Sequence, residues 1–126
     1  MNENEISKVI LDCAIEVHRT LGGPGLLESV YEEAMVFELQ AFGLKVERQI
    51  PVPITYKERA LGSPMRLDLR VNSIVLVDNK ATTEWHPIFE AQMLTYLRLT
   101  GLKLGIVINF GERYVKNGIH RVVNGL

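Results

Sequence analysis

Three charged residues lie within or directly after apolar segments that a β-strand would bury. Asp68 interrupts the segment 65–71, and Asp78 and Lys80 follow the apolar run 74–77. A carboxylate in such surroundings is costly to bury without a partner, and a divalent cation held by oxygen ligands is the natural one. The pattern therefore predicts a metal-dependent phosphodiesterase site.

The spacing of these residues makes a geometric prediction. Asp78 and Lys80 are two residues apart, so their side chains share one face of a strand. Asp68 joins them only if the connection at 72–73 has an odd number of loop residues or a bulge, because a two-residue turn would pair Asp68 with Val77. We predict the odd register, in which the two carboxylates share Mg²⁺ or Mn²⁺ and Lys80 holds the attacking water or offsets charge on the phosphate. The alternative, a surface hairpin with an ordinary Asp/Lys pair, is disfavoured by the apolar neighbours.

Two further pairs of polar residues fall on predicted helices. Gln92 and Tyr96 are four residues apart and share a helical face, as do Glu28 and Tyr31 at three apart. Glu28 follows the segment 22–25, Gly-Gly-Pro-Gly, where the exposed amides of a helix start favour an anion. Each pair also has an ordinary explanation, since tyrosine on an amphipathic helix is more often core than catalytic, and helix capping alone accounts for Glu28.

The elements that must position these residues are helix, helix, a group of strands, helix and strand. Apolar spacing predicts helices over about 5–21, 26–42 and 87–100. The candidates for the buried side of the second helix are Leu27, Val30, Tyr31, Ala34 and Phe37. Extended segments are predicted at 44–49, 52–57, 65–71, 74–78 and 103–109, with a turn at 62–64. The fold class is therefore α/β, a mixed central β-sheet flanked by α-helices, in one domain over residues 1–126.

Composition and charge limit the class of protein. The chain is 47% hydrophobic and 23% charged, as in globular domains. No apolar stretch reaches the roughly 20 residues that span a bilayer, and the polar start is unlike a secretory leader, so we expect a cytoplasmic protein without a membrane partner. The net charge of −1 gives no nucleic-acid signal for the whole molecule. Residues 1–40 hold eight acids against two bases, however, and residues 98–126 hold five bases against one acid. This asymmetry suits either two solvated regions or a basic rim beside an acidic metal site.

Other reactive residues give weaker signals. Cys13 is the only cysteine, which excludes an internal disulfide, and its helical spacing among apolar residues predicts a buried thiol. The three histidines lack the spacing of metal ligands. Trp85 either stacks on a base or covers the start of a helix. The glycine-rich segment 22–25 lacks the Lys-Ser/Thr ending of a nucleotide-binding loop, so no ATP site is expected.

The stretch 25–31, Gly-Leu-Leu-Glu-Ser-Val-Tyr, resembles the motif for which the GxxExxY protein family is named. Other segments resemble the family's remaining signatures in the same order: Leu21-Gly22, Arg66-Leu67-Asp68, Lys80-Ala81, Glu90-Ala91-Gln92, Thr95-Tyr96-Leu97 and Ile108-Asn109-Phe110-Gly111. The similarity covers almost the whole chain. That family is assigned to the PD-(D/E)XK nuclease superfamily, whose enzymes cut nucleic acid with Mg²⁺ on a mixed sheet flanked by helices.

The resemblance implies a restriction-endonuclease-like core and a set of roles. Asp68 is the first acid, Asp78-Asn79-Lys80 is the acid-x-lysine element, and Glu28 is the acid from the preceding helix. Together they are the expected catalytic residues, with Asp68, Asp78 and Glu28 as metal ligands. Gln92 and Tyr96 resemble the Gln-x-x-x-Tyr element of exonuclease-like branches and are expected to bind substrate. Relatives usually have Glu at the position of Asp78, whose side chain is one methylene shorter.

The favoured function is then a metal-dependent nuclease that hydrolyses phosphodiester bonds of nucleic acid, DNA rather than RNA, with Mg²⁺ or Mn²⁺ as cofactor. The alternative is a catalytically inactive module that keeps the nuclease fold and binds nucleic acid or a protein partner. A homodimer is compatible with the acidic and basic regions. Metal binding at Asp68 and Asp78 is expected of the enzyme and is not required of the inactive module.

Overall fold

The computed structural model describes residues 1–62 and 65–126. The helices α1, α2 and α3 span Glu3–Thr20, Glu28–Ala41 and Ile88–Thr100. The strands β1 to β7 span, in chain order, Val46–Val52, Thr55–Tyr56, Arg59–Ala60, Met65–Val71, Val75–Lys80, Leu104–Asn109 and Ile119–Val123. A 3₁₀ helix, Val115–Gly118, precedes β7.

The main sheet has five strands in the order β1-β4-β5-β6-β7. β5 and β6 are parallel, and the other neighbours are antiparallel. A parallel pair requires a crossover connection, and α3 supplies it. Helices α1 and α2 pack on one face and α3 packs on the other. The predicted α/β fold with a mixed sheet flanked by helices is therefore confirmed.

Each face of the sheet has its own core. Against α1 and α2, the Tyr31 ring stacks on Phe110 with centroids 4.5 Å apart. Against α3, Leu76 packs with Met93 and other apolar residues. Because side chains alternate along a strand, the residues of β5 that follow Leu76 in steps of two, Asp78 and Lys80, belong to the α3 face.

The connection between β4 and β5 fixes their register. It contains three residues, 72–74, of which the first two have φ angles of 50° and 63°. Leu69 pairs with Val77, and Val71 pairs with Val75. Three is an odd number, so the predicted register is confirmed. Continued by one residue in each strand, it places Asp68 opposite Asp78.

Two strand predictions differ from the structure. The strand predicted over 52–57 does not form, because β1 continues through Pro51 to Val52 and a small hairpin of β2 and β3 follows. Proline is tolerated there because β1 is an edge strand, where a missing N–H costs no hydrogen bond of the sheet. The strand β7 was not predicted, since its half-exposed residues give no apolar run. The turn predicted at 62–64 lies partly outside the described residues.

The buried side of α2 was predicted incorrectly at three positions. Leu27 and Phe37 are 74% and 71% exposed, and Val30 is also exposed. The buried residues are instead Tyr31, Glu32, Met35 and Leu39. The apolar side chains of α2 are distributed all around its axis, so their positions in the sequence do not identify the buried side. One of these buried residues, Glu32, accepts hydrogen bonds from Arg48 and Gln49 of β1.

Candidate active site

Asp68 and Asp78 approach each other where β4 and β5 diverge. The strand pairing ends at Leu69 and Val77, and beyond it Asp68 Oδ2 accepts a hydrogen bond from the backbone N–H of Asn79 at 2.8 Å. Asp78 is only 8% exposed. Burial, followed by the neighbouring Asp68 carboxyl, raises the pKa of Asp78 from 3.8 to about 7. The pair therefore favours uptake of a proton or a cation near neutral pH.

Lys80 joins the two acids on the α3 face. Its Nζ lies 3.4 Å from Asp78 Oδ2 and 4.8 Å from the centroid of the Phe89 ring. The ring on one side and the carboxylate on the other limit where the ammonium group can move. The acid-x-lysine spacing thus delivers a positively charged donor directly beside the acid pair.

Helix α3 adds Tyr96 to this group. Its hydroxyl donates a hydrogen bond to the carbonyl oxygen of Arg66, at 3.2 Å, two residues before Asp68. Burial, followed by the charges of Asp78 and Asp68, raises the pKa of Tyr96. Gln92 lies one turn earlier on the same helical face and is half-buried.

Glu28 lies apart from the acid pair. It is the first residue of α2, it is exposed, and it lines a cleft of about 410 Å³ together with Ala81, the residue after Lys80. The N-cap residue of α2 is Leu27, which makes no side-chain cap, and Glu28 is an acid in the first turn, where a negative charge favours the helix. Within residues 1–62 and 65–126, no three or more His, Cys, Asp or Glu side chains form a group that could hold a metal.

The donor set of the acid pair fits a divalent cation. Two carboxylates from adjacent strands repel each other when both are ionised, and Asp78 is also buried. A cation between them would remove both penalties. Mg²⁺ prefers oxygen ligands and is commonly held by one or two carboxylates, with water and phosphate oxygens completing the shell. Asp68 and Asp78 are therefore the residues of this chain that suit such an ion best.

One feature beside the site gave no signal in the sequence. Gln49, opposite Asp68 in the β1 and β4 pairing, has a left-handed backbone with φ of 49°. In a regular strand Gln49 and Arg48 would point to opposite faces. Instead both donate to the carboxylate of Glu32 on α2, at 2.7 and 2.9 Å. The left-handed backbone thus turns the Gln49 side chain away from the α3 face, where Asp78 lies.

Near Gln49 and Asp68, the strands β1 and β4 change the face on which their apolar side chains are buried. In β1, Val46 packs against the core of α1 and α2, whereas Val52 belongs to the core of α3. In β4, Leu69 belongs to the first core and Leu67 to the second. Asp68 lies between them, at the exchange. Strict alternation of faces, on which the prediction rested, therefore does not extend past Asp68.

Trp85 covers the start of α3. Its ring stacks on His120 with centroids 3.7 Å apart, and its Nε1 donates to Glu90 at 3.2 Å. These contacts occupy one face of the indole ring and its N–H group. Of the two interpretations of this residue, the packing interpretation agrees with the structure.

A comparison with protein families agrees with the geometry. A family model described as the PD-(D/E)XK nuclease superfamily matches residues 4–122, which include all the residues of the candidate site. No curated protein and no solved structure gives a significant match. Among the described residues, no helix is both long and apolar enough to cross a membrane.

Proposed function

This chain belongs to the PD-(D/E)XK nuclease superfamily, and we propose that it is a metal-dependent nuclease that hydrolyses phosphodiester bonds of nucleic acid. The observation that carries the proposal is the convergence of Asp68, Asp78 and Lys80 where two neighbouring strands diverge. We favour DNA over RNA as the substrate and Mg²⁺ or Mn²⁺ as the cofactor.

In this proposal Asp68 and Asp78 hold the cation. Glu28, which lines the cleft beside Ala81 and lies apart from the acid pair, is proposed as a further ligand. When bound, the ion would polarise the phosphodiester and lower the pKa of water. Because the pKa of Asp78 is raised to about 7, protons compete with the metal for this carboxylate below neutral pH. Activity should therefore fall as the pH drops below about 7.

Lys80 supplies the positive charge that the reaction needs. An ammonium group beside the acid pair can orient the attacking water and stabilise negative charge growing on the phosphate oxygens. Tyr96 acts through Arg66, whose carbonyl it binds, and so keeps the end of β4 that carries Asp68 in place. Gln92, one helical turn away, offers an amide to the substrate.

The alternative proposal is a catalytically inactive module that binds nucleic acid or a protein. One observation favours it: the described residues contain no group of three or more side chains of the types that hold metals. A two-carboxylate site depends on substrate and water for its remaining ligands.

The experiment that separates the two uses labelled single-stranded and duplex DNA and RNA with Mn²⁺, Mg²⁺ or chelator. Wild-type protein is compared with Lys80→Ala and with Lys103→Ala, a matched change at an exposed lysine before β6. We expect metal-dependent cleavage that falls about 100-fold or more in Lys80→Ala and is unchanged in Lys103→Ala. Cleavage that survives Lys80→Ala would contradict the proposed role of this residue. Binding of nucleic acid without cleavage on any substrate would favour the inactive module.

A further inference from the structure

A second cleft, of about 510 Å³, lies between the carboxyl-terminal end of α1 and the segment after β6. We call it the basic cleft. Arg19, Arg113 and Lys116 supply its charge, His18 lies at its base, and Tyr114 lies on its rim. None of the described residues that line it is an aspartate or a glutamate. Its volume falls within the range of small-molecule sites, roughly 300–1,000 Å³.

Two of its cations are free to meet an anion. Arg113 and Lys116 are exposed and form no ion pair with any residue in 1–62 and 65–126. Arg19 is paired with Glu16, which reduces its contribution. Tyr114 is 55% exposed, and the Arg113 guanidinium lies 5.3 Å from its ring centroid. The cleft therefore combines unpaired positive charge with an accessible aromatic face.

The end of α1 does not cancel this charge. The carbonyl groups at the carboxyl-terminal end of a helix are partially negative and oppose an anion when they are free. Here the carbonyls of Val17, His18 and Arg19 accept hydrogen bonds from the turn at residues 21–23. Arg113 and Lys116 come from a different element, the segment after β6, and face this helix end across the cleft.

The basic cleft is linked to the active site through one residue. The Phe110 N–H donates to the carbonyl of Lys80 at 2.8 Å. The Phe110 carbonyl lies 3.1 Å from His18 Nε2, and because a carbonyl only accepts, this nitrogen carries the hydrogen. Phe110 therefore separates the strand end that carries Lys80 from the base of the basic cleft.

We propose that the basic cleft binds phosphate groups of the nucleic-acid strand that enters or leaves the active site, with Arg113 and Lys116 as the contacts and Tyr114 as a stacking surface for a base. The inference rests on the proposed nuclease function. A strand presents its phosphates at regular intervals, so one that occupies the active site carries further phosphates toward neighbouring cations. Aromatic side chains beside such cations are typical of sites for single strands.

The test measures binding of a labelled single-stranded oligonucleotide by fluorescence anisotropy in chelator, so that it does not depend on metal or cleavage. The double variant Arg113→Gln with Lys116→Gln is compared with Lys8→Gln with Lys45→Gln, which removes the same charge at exposed lysines elsewhere. Thermal unfolding verifies that both variants are folded. Each phosphate contact contributes about 0.7 to the slope of log Kd against log salt between about 50 and 200 mM. We expect the slope to fall by about 1.4 in the cleft variant and to stay unchanged in the control.

Three outcomes would overturn the proposal: an unchanged slope in the cleft variant, an equal fall in both variants, or no binding by the wild-type chain. A mononucleotide that binds as tightly as the oligonucleotide would also overturn it, because the cleft would then be an isolated nucleotide site. The cleavage assay keeps the two proposals separate. Metal-dependent cutting with an unchanged salt slope refutes the cleft and leaves the nuclease function intact.

Discussion

Burial and the carboxyl of Asp68 set the protonation of Asp78, and this has a consequence for stability. The pKa of Asp78 rises from 3.8 to about 7, so between these pH values the folded state binds more protons than the unfolded state. The stability that this proton provides is fully present below pH 3.8 and is lost as the pH rises through about 7. A shift of this size corresponds to at most about 4 kcal/mol.

We therefore expect Asp78→Asn to be more stable than wild type at about pH 8 in chelator, and this advantage should shrink toward about pH 4. Urea unfolding at both pH values measures it, with Asp12→Asn, an exposed acid of α1, as the control. Added Mg²⁺ should stabilise the wild-type chain and not Asp78→Asn. Parallel pH profiles for wild type and Asp78→Asn would show that Asp78 titrates normally.

Two buried asparagines provide a second comparison. The side-chain amide of Asn79 has no hydrogen-bond partner among the described residues, whereas the side chain of Asn109 bonds the Thr82 N–H, the Thr82 carbonyl and the Gly111 N–H. Asn79→Leu removes unpaired groups and should raise the free energy of unfolding by about 1 kcal/mol. Asn109→Leu leaves three backbone groups unpaired and should lower it by about 3 kcal/mol. Equal losses in urea unfolding would mean that Asn79 has a partner.

At this scale, spacing predicted the placement of Asp78 and Lys80 but not the backbone conformation beside them. Asp78 and Lys80 share a face because the strand period is two, and the sequence contains that information. The left-handed backbone of Gln49 and the burial of Glu32 could not be predicted. Both depend on contacts between α2 and β1, which local propensity does not describe.

Among the elements, the segment after β5 is held against the end of β6. A Cβ added to Gly111 would collide with the backbone of Thr82, whereas one added to Gly105 would meet the flexible Met93 side chain. Backbone cannot move aside as a side chain can, so Gly111→Ala should cost about 3 kcal/mol and Gly105→Ala about 1 kcal/mol. Gly62→Ala serves as the control in thermal unfolding, because an added Cβ there meets no atom of the described residues within 4 Å. A larger loss for Gly105→Ala than for Gly111→Ala would contradict this description.

The sequence predicted the helices and the central strands well and the edge strands poorly. Helical spacing placed all three helices to within a few residues, and the apolar runs located β5 and β6. The strands at the edges were harder, because β1 tolerates Pro51 and β7 has no apolar run. Edge strands are only half covered, so their sequences carry less of the hydrophobic pattern.

Over the whole molecule, α2 leaves large apolar side chains in solvent. Phe37 is 71% exposed, while Met35, two residues earlier, is fully buried. We expect Phe37→Ser to change the free energy of unfolding by less than about 0.5 kcal/mol and Met35→Ser to lower it by about 3 kcal/mol. Chemical denaturation of the two variants measures both. A large loss in Phe37→Ser would indicate that this side chain is covered in solution.

The uneven charge along the chain also finds a place in the molecule. Arg121 of β7 hydrogen-bonds Asn4 and Ser7 at the start of α1, so part of the basic end lies beside the acidic first helix. Arg113 and Lys116 line the basic cleft instead. The basic residues of the carboxyl-terminal part thus lie at two different surfaces of the molecule.

The pairing of β4 with β5 limits where this sequence can gain or lose residues. A residue added or removed within 72–74 changes only the length of the connection, because Val71 can still pair with Val75. A residue added or removed between Asp68 and Val71, or between Val75 and Asp78, shifts one acid past the other and turns the side chains beyond it to the opposite face of the sheet. Related chains should therefore vary in length at 72–74 and keep the spacing of three residues between each acid and the strand end beside the connection.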